Sequence, residues 1–150
     1  MSFKFLSKHE RRKLLDEFKE NFGISKLNYL FLRAGKEKIR AFSGSLSREE
    51  ISVLARVVNI ELMGIYLAKQ QGNEIRLSHD AVSLLRKEIS KNIIELSDDK
   101  AEKWLRGENI DKKAEKGFVI LKHKDDLIGN GKSNGEVIFN FVPKERRVKN

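Results

Sequence analysis

The sequence predicts an α+β protein in two parts: an N-terminal α/β domain of antiparallel strands and helices, and a C-terminal β-rich domain. Three observations predict it. Helix-capping signatures alternate with short β-branched runs through residues 1–91. Apolar strand-like runs dominate residues 92–150, so the boundary is placed near Lys91. The third is length: 150 residues suffice for two small domains.

Ser7-Lys8-His9-Glu10 is a capping box, in which the serine oxygen and the glutamate each satisfy an otherwise orphan N–H. Leu14, Leu15, Phe18 and Phe22 follow at helical spacing, and Gly23 suits a left-handed cap, which predicts a helix over 8–22. Leu27–Arg33 and Lys38–Phe42 read as a hairpin around Gly35. Ser47 and Glu50 form a second capping box, opening a helix with Ile51, Leu54, Val57 and Val58 on one face. Residues 60–69 and 74–77 read as another strand pair turned at Gly72, and Ser78 caps a helix carrying Val82, Leu85 and Ile89.

After the boundary, 92–96 reads as a short strand. Ser97 caps a helix over 98–106, whose first turn holds Asp98 and Asp99 where the helix dipole favours anions, and Gly107 stops it. Residues 108–116 read as a charged connector. Two β-runs, 118–123 and 136–142, flank a glycine-punctuated middle, and the basic tail Lys144-Glu145-Arg146-Arg147-Val148-Lys149 follows.

Lys and Arg outnumber Asp and Glu by 31 to 22, a net charge of +9, which points to polyanionic partners such as nucleic acid. There is no cysteine, which excludes disulfides, thiolate metal sites and cysteine nucleophiles and fits a reducing cytoplasm. The start has no apolar core of signal-peptide length, so a cytoplasmic protein is expected. His9, His79 and His123 have no partner at metal-ligand spacing, and no nucleophile-elbow pattern occurs. Asp125-Asp126 suits a hairpin turn better than acid–base work. No catalytic residue, cofactor or metal is expected.

Gly129-Asn130-Gly131-Lys132-Ser133 is similar to the end of a phosphate-binding P-loop. That motif needs another glycine where Asp126 stands and a helix after the lysine, whereas Ser133-Asn134-Gly135 reads as a turn into a strand. The glycines are read as a place where the backbone bends or approaches another surface closely, with RNA-phosphate contact as the functional use of that open backbone. Lys122 and Lys124 are expected to share a strand face by period two. Phe118, Phe139 and Phe141 are candidates for core or for base stacking.

The run 92–96, the helix ending Trp104-Leu105-Arg106-Gly107, and Gly117-Phe118-Val119-Ile120-Leu121-Lys122 followed by Leu127-Ile128-Gly129-Asn130-Gly131 together resemble a PUA domain, a small RNA-binding pseudo-barrel. This C-terminal part resembles the PUA-like region of Sun-family RNA cytosine-5 methyltransferases. The whole chain, opening on Leu6-Ser7-Lys8-His9-Glu10, is similar to the Nip-seven type of ribosome-biogenesis factor, a pre-PUA domain followed by a PUA domain.

The resemblance implies a non-catalytic protein that binds rRNA or tRNA in ribosome biogenesis or RNA modification. The alternative it implies is an adaptor or accessory module for an RNA methyltransferase or a pre-ribosomal complex. The partner classes are accordingly RNA, an RNA-modification enzyme and a pre-ribosomal protein. The RNA-binding residues it implies are Lys144, Arg146, Arg147 and Lys149 on a C-terminal basic strand, with Lys132 beside the glycine turn, while Lys122 and Lys124 join them from the crowding of cations in the last third of the chain. Arg146→Glu with Arg147→Glu is expected to weaken RNA binding without lowering stability. One departure is that residues 110–116 are short and charged where many PUA domains carry a longer glycine-rich segment.

Overall fold

A computed structural model describes residues 3–42, 47–58 and 64–149. The chain divides into two compact units, Met1–Arg76 and Leu77–Asn150. That division falls earlier than Lys91, because the segment around the third helix packs with the C-terminal strands.

The first unit is built from β1 (Phe3–Phe5), α1 (Lys8–Phe22), β2 (Leu30–Ala34), β3 (Lys38–Phe42), α2 (Arg48–Leu54), β4 (Ile65–Gln71) and β5 (Glu74–Leu77), whose last residue begins the second unit. The sheet runs β1-β2-β3-β4-β5, with antiparallel pairing from β1 through β4. Both expected capping boxes are made, and Gly23 ends α1 at φ 71°. Leu14, Phe18 and Phe22 are buried along α1. β2 starts three residues later than the sequence pattern suggests. The Arg11 guanidinium takes the carbonyls of Tyr29 and Leu27, at 2.6 and 3.1 Å, and so removes them from a ladder.

Ile51 of α2 packs with Leu32, Ala34 and Phe42. The expected apolar face does not continue. α2 ends at Leu54, which is 36% exposed, and Val57 beyond it is 81% exposed. β-branched Val53, Val57 and Val58 lose rotamer freedom in a helix and do not prolong it. The expected strand residues 60–63 lie outside the described residues.

The second unit holds α3 (His79–Leu84), β6 (Ile93–Glu95), α4 (Asp98–Leu105), β7 (Ile110–Asp111), β8 (Gly117–His123), β9 (Asp126–Ser133), β10 (Val137–Asn140) and a 3-10 turn, Lys144–Arg146. Its sheet runs β6-β8-β9-β10-β7 and curls into a half-barrel, with β6 parallel to β8 and the other pairs antiparallel. The protein is therefore α+β with a PUA-like pseudo-barrel. Ser78 and Ser97 cap α3 and α4 as expected. Among the described residues no helix is long and apolar enough to cross a membrane.

Three expectations for this unit are corrected. The connector 108–116 contains β7, which pairs with β10. The tail is a 3-10 turn, not a strand, because Pro143 at φ −57° starts a tight turn closed by Arg146 N–H to the Pro143 carbonyl. The glycine-punctuated middle is largely β9, whose eight residues pair with β8 on one side and β10 on the other.

The reason for glycine in a central strand is Trp104, which is fully buried and donates its indole N–H to the Ile128 carbonyl at 3.1 Å. A Cβ on Gly131 would lie 2.2 Å from the Phe139 carbonyl oxygen and 2.6 Å from the Trp104 ring. One on Gly129 would meet Val142 and Trp104 at 3.1 and 3.3 Å. The close-approach reading of these glycines holds, and their backbone is buried rather than open.

Gly131→Ala is expected to cost about 3 kcal/mol, the upper part of the overpacking range, because the nearest obstacle is backbone. Gly35→Ala serves as the comparison. Gly35 has φ 68° and open space around it, so that change should cost only about 1 kcal/mol of left-handed strain. Urea unfolding of both variants checks the difference.

Candidate nucleic-acid interface

The seven cations singled out in the sequence fall into three groups. Lys122 is half-buried in β8, opposite Leu127 of β9 and Glu95 of β6. Lys124 does not share its face: it lies in the β8–β9 turn at φ 55°, exposed, beside Asp125. The expected hairpin turn at Asp125-Asp126 is present, with Asp126 opposite His123. This end of the sheet is fastened to α4 by the 2.7 Å contact of His123 Nε2 with Asp98 Oδ1. That hydrogen bond, with the Lys124 charge, holds the Asp98 carboxyl below its usual range.

Lys132 stands near the other end of β9, about 17 Å along the strand from the Lys122 row. It is opposite both Phe118 of β8 and Phe139 of β10, so the three side chains form one cross-strand row. The Lys132 ammonium sits 5.0 Å from the Phe118 ring centre. Phe118 also packs at 6.2 Å against Phe141, whereas Phe139 is 41% exposed. Val119, Gly131 and Ile138 alternate with this row and point to the Trp104 core. Of the candidate stacking rings, Phe139 is therefore the one offered to solvent.

The third group is the tail, and its residues divide. Lys144 and Lys149 are exposed. Arg146 is also exposed and pairs with Asp80 at 3.0 Å. Arg147 turns inward: its Nε donates to the Val142 carbonyl at 3.0 Å, and its side chain lies across Gly107, where a Cβ would come within 2.4 Å of it. Val148 N–H donates to the Leu105 carbonyl at 2.8 Å, closing the end of α4. The tail thus serves stability as well as presenting charge.

Sequence reasoning missed His79. Its ring is half-buried beside Gly129, and Nδ1 is buried without a hydrogen-bond partner among the described residues. Burial, then the Arg146 charge, lower its pKa, against opposing contributions from Asp80 and Glu145. No local motif signals this, since it depends on α3 reaching β9. The Trp104 pocket did leave a signal: Gly129 and Gly131 are two apart, hence on one strand face, in a chain with a single tryptophan. Among the described residues no group of three or more His, Cys, Asp or Glu is arranged to hold a metal ion.

Two outcomes follow from these contacts. Arg147→Ala is expected to destabilise the fold by about 1 to 3 kcal/mol, through the unsatisfied Val142 carbonyl and lost packing, measurable by thermal or urea unfolding. For His79 the folded pKa lies below the ordinary 6.5, so the unfolded chain takes up the proton first. Stability is present above pH 6.5 and declines as pH falls from there through the folded pKa. His79→Gln should flatten that part of the melting-temperature profile.

Residues 91–148 match the family model described as the methyltransferase RsmF PUA domain. Ribosomal RNA small subunit methyltransferase F of Vibrio campbellii is 33% identical over 90 residues, covering 55% of this chain and 19% of that protein. The enzyme of the same name from Psychromonas ingrahamii is 25% identical over 146 residues, 93% of this chain and 29% of that protein. That of Citrobacter koseri is 32% identical over 100 residues, 64% of this chain and 20% of that protein. The chain thus spans between about a fifth and three tenths of the length of these relatives. Residues 91–148 are a PUA domain related to the C-terminal region of Sun-family RNA methyltransferases.

Proposed function

We propose that the chain is a non-catalytic, cytoplasmic RNA-binding module that docks on rRNA or tRNA as an accessory to RNA modification or ribosome biogenesis. The observation that carries this reading is the match of residues 91–148 to the RsmF-type PUA domain. The cations of that unit support it as the contact surface of this reading. Lys144, Arg146 and Lys149 project from the tail while Arg147 and Val148 fix the tail to α4. Lys124 and Lys122 lie at the β8–β9 end, and Lys132 lies in the aromatic row.

The mechanism is electrostatic docking. Cations held on a rigid scaffold neutralise phosphates and release condensed counterions, so affinity falls steeply with salt. The buried glycines of β9 take no part in phosphate contact, since their backbone faces Trp104 and β10. Residues 77–91 belong functionally with the PUA-type unit, because Asp80 pairs with Arg146 and the Asn130 side chain donates to the Leu77 carbonyl.

Replacing Lys144 and Arg146 by glutamine tests this surface without disturbing Arg147. The Arg146–Asp80 pair is exposed, so its loss should cost less than about 1 kcal/mol. Binding of a structured rRNA or tRNA fragment, followed across a salt titration, should show a log–log slope shallower by about 1.5. An unaltered slope and affinity would refute the tail as a contact surface.

A further inference from the structure

The sheet of the first unit carries a basic concavity that the tail and the PUA match leave unused. A cavity of about 540 Å³ is lined, among the described residues, by Lys36, Lys38, Arg40, Tyr66 and Lys69, with Glu37 as the one carboxylate among them. Lys38 of β3 stands directly opposite Lys69 of β4, and Arg40 opposite Tyr66. Directly opposed residues in an antiparallel pair have Cβ atoms about 5 Å apart, and like charges so placed are destabilising. Several neighbouring groups engage these side chains. Glu37 contacts Lys69 at 3.5 Å, the Lys38 ammonium lies 5.5 Å from the Tyr66 ring centre, and Arg40 donates to the Gly64 carbonyl at 3.1 Å.

A fold that holds Lys38 against Lys69 in a concave, aromatic-sided site keeps a surplus of positive charge that an anion would relieve. Lys38 and Arg40 are two residues apart on one strand, about 7 Å, which suits successive phosphates of a chain better than one free anion. Tyr66 adds a ring of the kind that stacks unpaired bases.

We infer that this concavity on the first unit is a second RNA site, in which Lys36, Lys38, Arg40 and Lys69 take successive backbone phosphates beside Tyr66. The inference rests on the RNA-binding reading above and assigns the N-terminal half a share of the same ligand.

The test uses the full chain and a single-stranded oligoribonucleotide, with affinity measured by fluorescence anisotropy across a KCl titration. Lys38→Gln with Lys69→Gln should make the log–log slope shallower by about 1.4, two phosphate contacts at about 0.7 each. Lys38→Arg with Lys69→Arg keeps both charges and should keep the slope. The glutamine variant should melt at or above the wild-type temperature at low salt, since the opposed charges are gone. A slope unchanged by the glutamine pair, while Lys144→Gln with Arg146→Gln lowers it, would overturn this inference and leave the PUA-type surface standing. Inorganic phosphate that raises the melting temperature as much as the oligoribonucleotide does, at equal phosphate concentration, would overturn the assignment to RNA. No RNA binding by the unaltered chain would overturn both readings.

Discussion

The Trp104 indole can occupy the concave side of the second sheet only because β9 carries no side chain at positions 129 and 131. Glycine inside a strand costs roughly 0.5 to 1 kcal/mol per residue. A fully buried tryptophan is worth about 3 to 5 kcal/mol against alanine. The exchange favours the indole, and it dictates the geometry around it. β9 must be central so that both glycines face α4. β10 must then pass close enough that the Phe139 carbonyl abuts Gly131. Leu96, Ala101, Ile110, Val119, Leu121, Ile138 and Val142 complete the cluster.

The same constraint reaches the tail. α4 leaves carbonyls at its C-terminal end without intrahelical partners. The Asn140 side chain donates to the Trp104 carbonyl at 2.8 Å and to the Glu108 carbonyl at 2.9 Å, and Val148 N–H takes the Leu105 carbonyl. The Asn140 amide oxygen in turn accepts from Val142 N–H at 2.8 Å, and Val142 offers its carbonyl to Arg147. A continuous set of hydrogen bonds thus runs from the end of the helix that holds Trp104 to the last described turn. The tail is ordered by the core, and its outward cations inherit fixed positions from that order.

How much of this was legible in the sequence depends on the range of the interaction. The serine caps at 7, 47, 78 and 97 were readable because each acts within three residues. The α+β class and the PUA likeness were readable from the same local signals and from the strand–helix–strand order. β9 was not, because glycine is a poor strand former unless a distant side chain needs the space, and Trp104 lies 25 residues before Gly129. The Leu54, Val57 and Val58 face failed for the opposite reason: the spacing was helical, but the helix stopped. Lys124 left its expected face because a turn with φ 55° intervenes. Arg147 reads as surface charge and folds inward, as Arg11 also does, since nothing local announces which carbonyls a guanidinium will find.

The inward-folding arginines change what the net charge means. Several arginines are occupied by the fold: Arg11 with the Leu27 and Tyr29 carbonyls, Arg33 with Gln70 and Arg147 with Val142. A guanidinium is weakly hydrated and presents several donors in a rigid fork, so it can leave water to clamp backbone at modest cost. An ammonium is compact and strongly hydrated, and stays at the surface on a flexible stem. Lys36, Lys38, Lys124, Lys144 and Lys149 are exposed accordingly. The charge excess read from composition is therefore divided by residue type. Part of the arginine is used to hold loops and the tail, and lysine carries much of the positive field that a polyanion would meet.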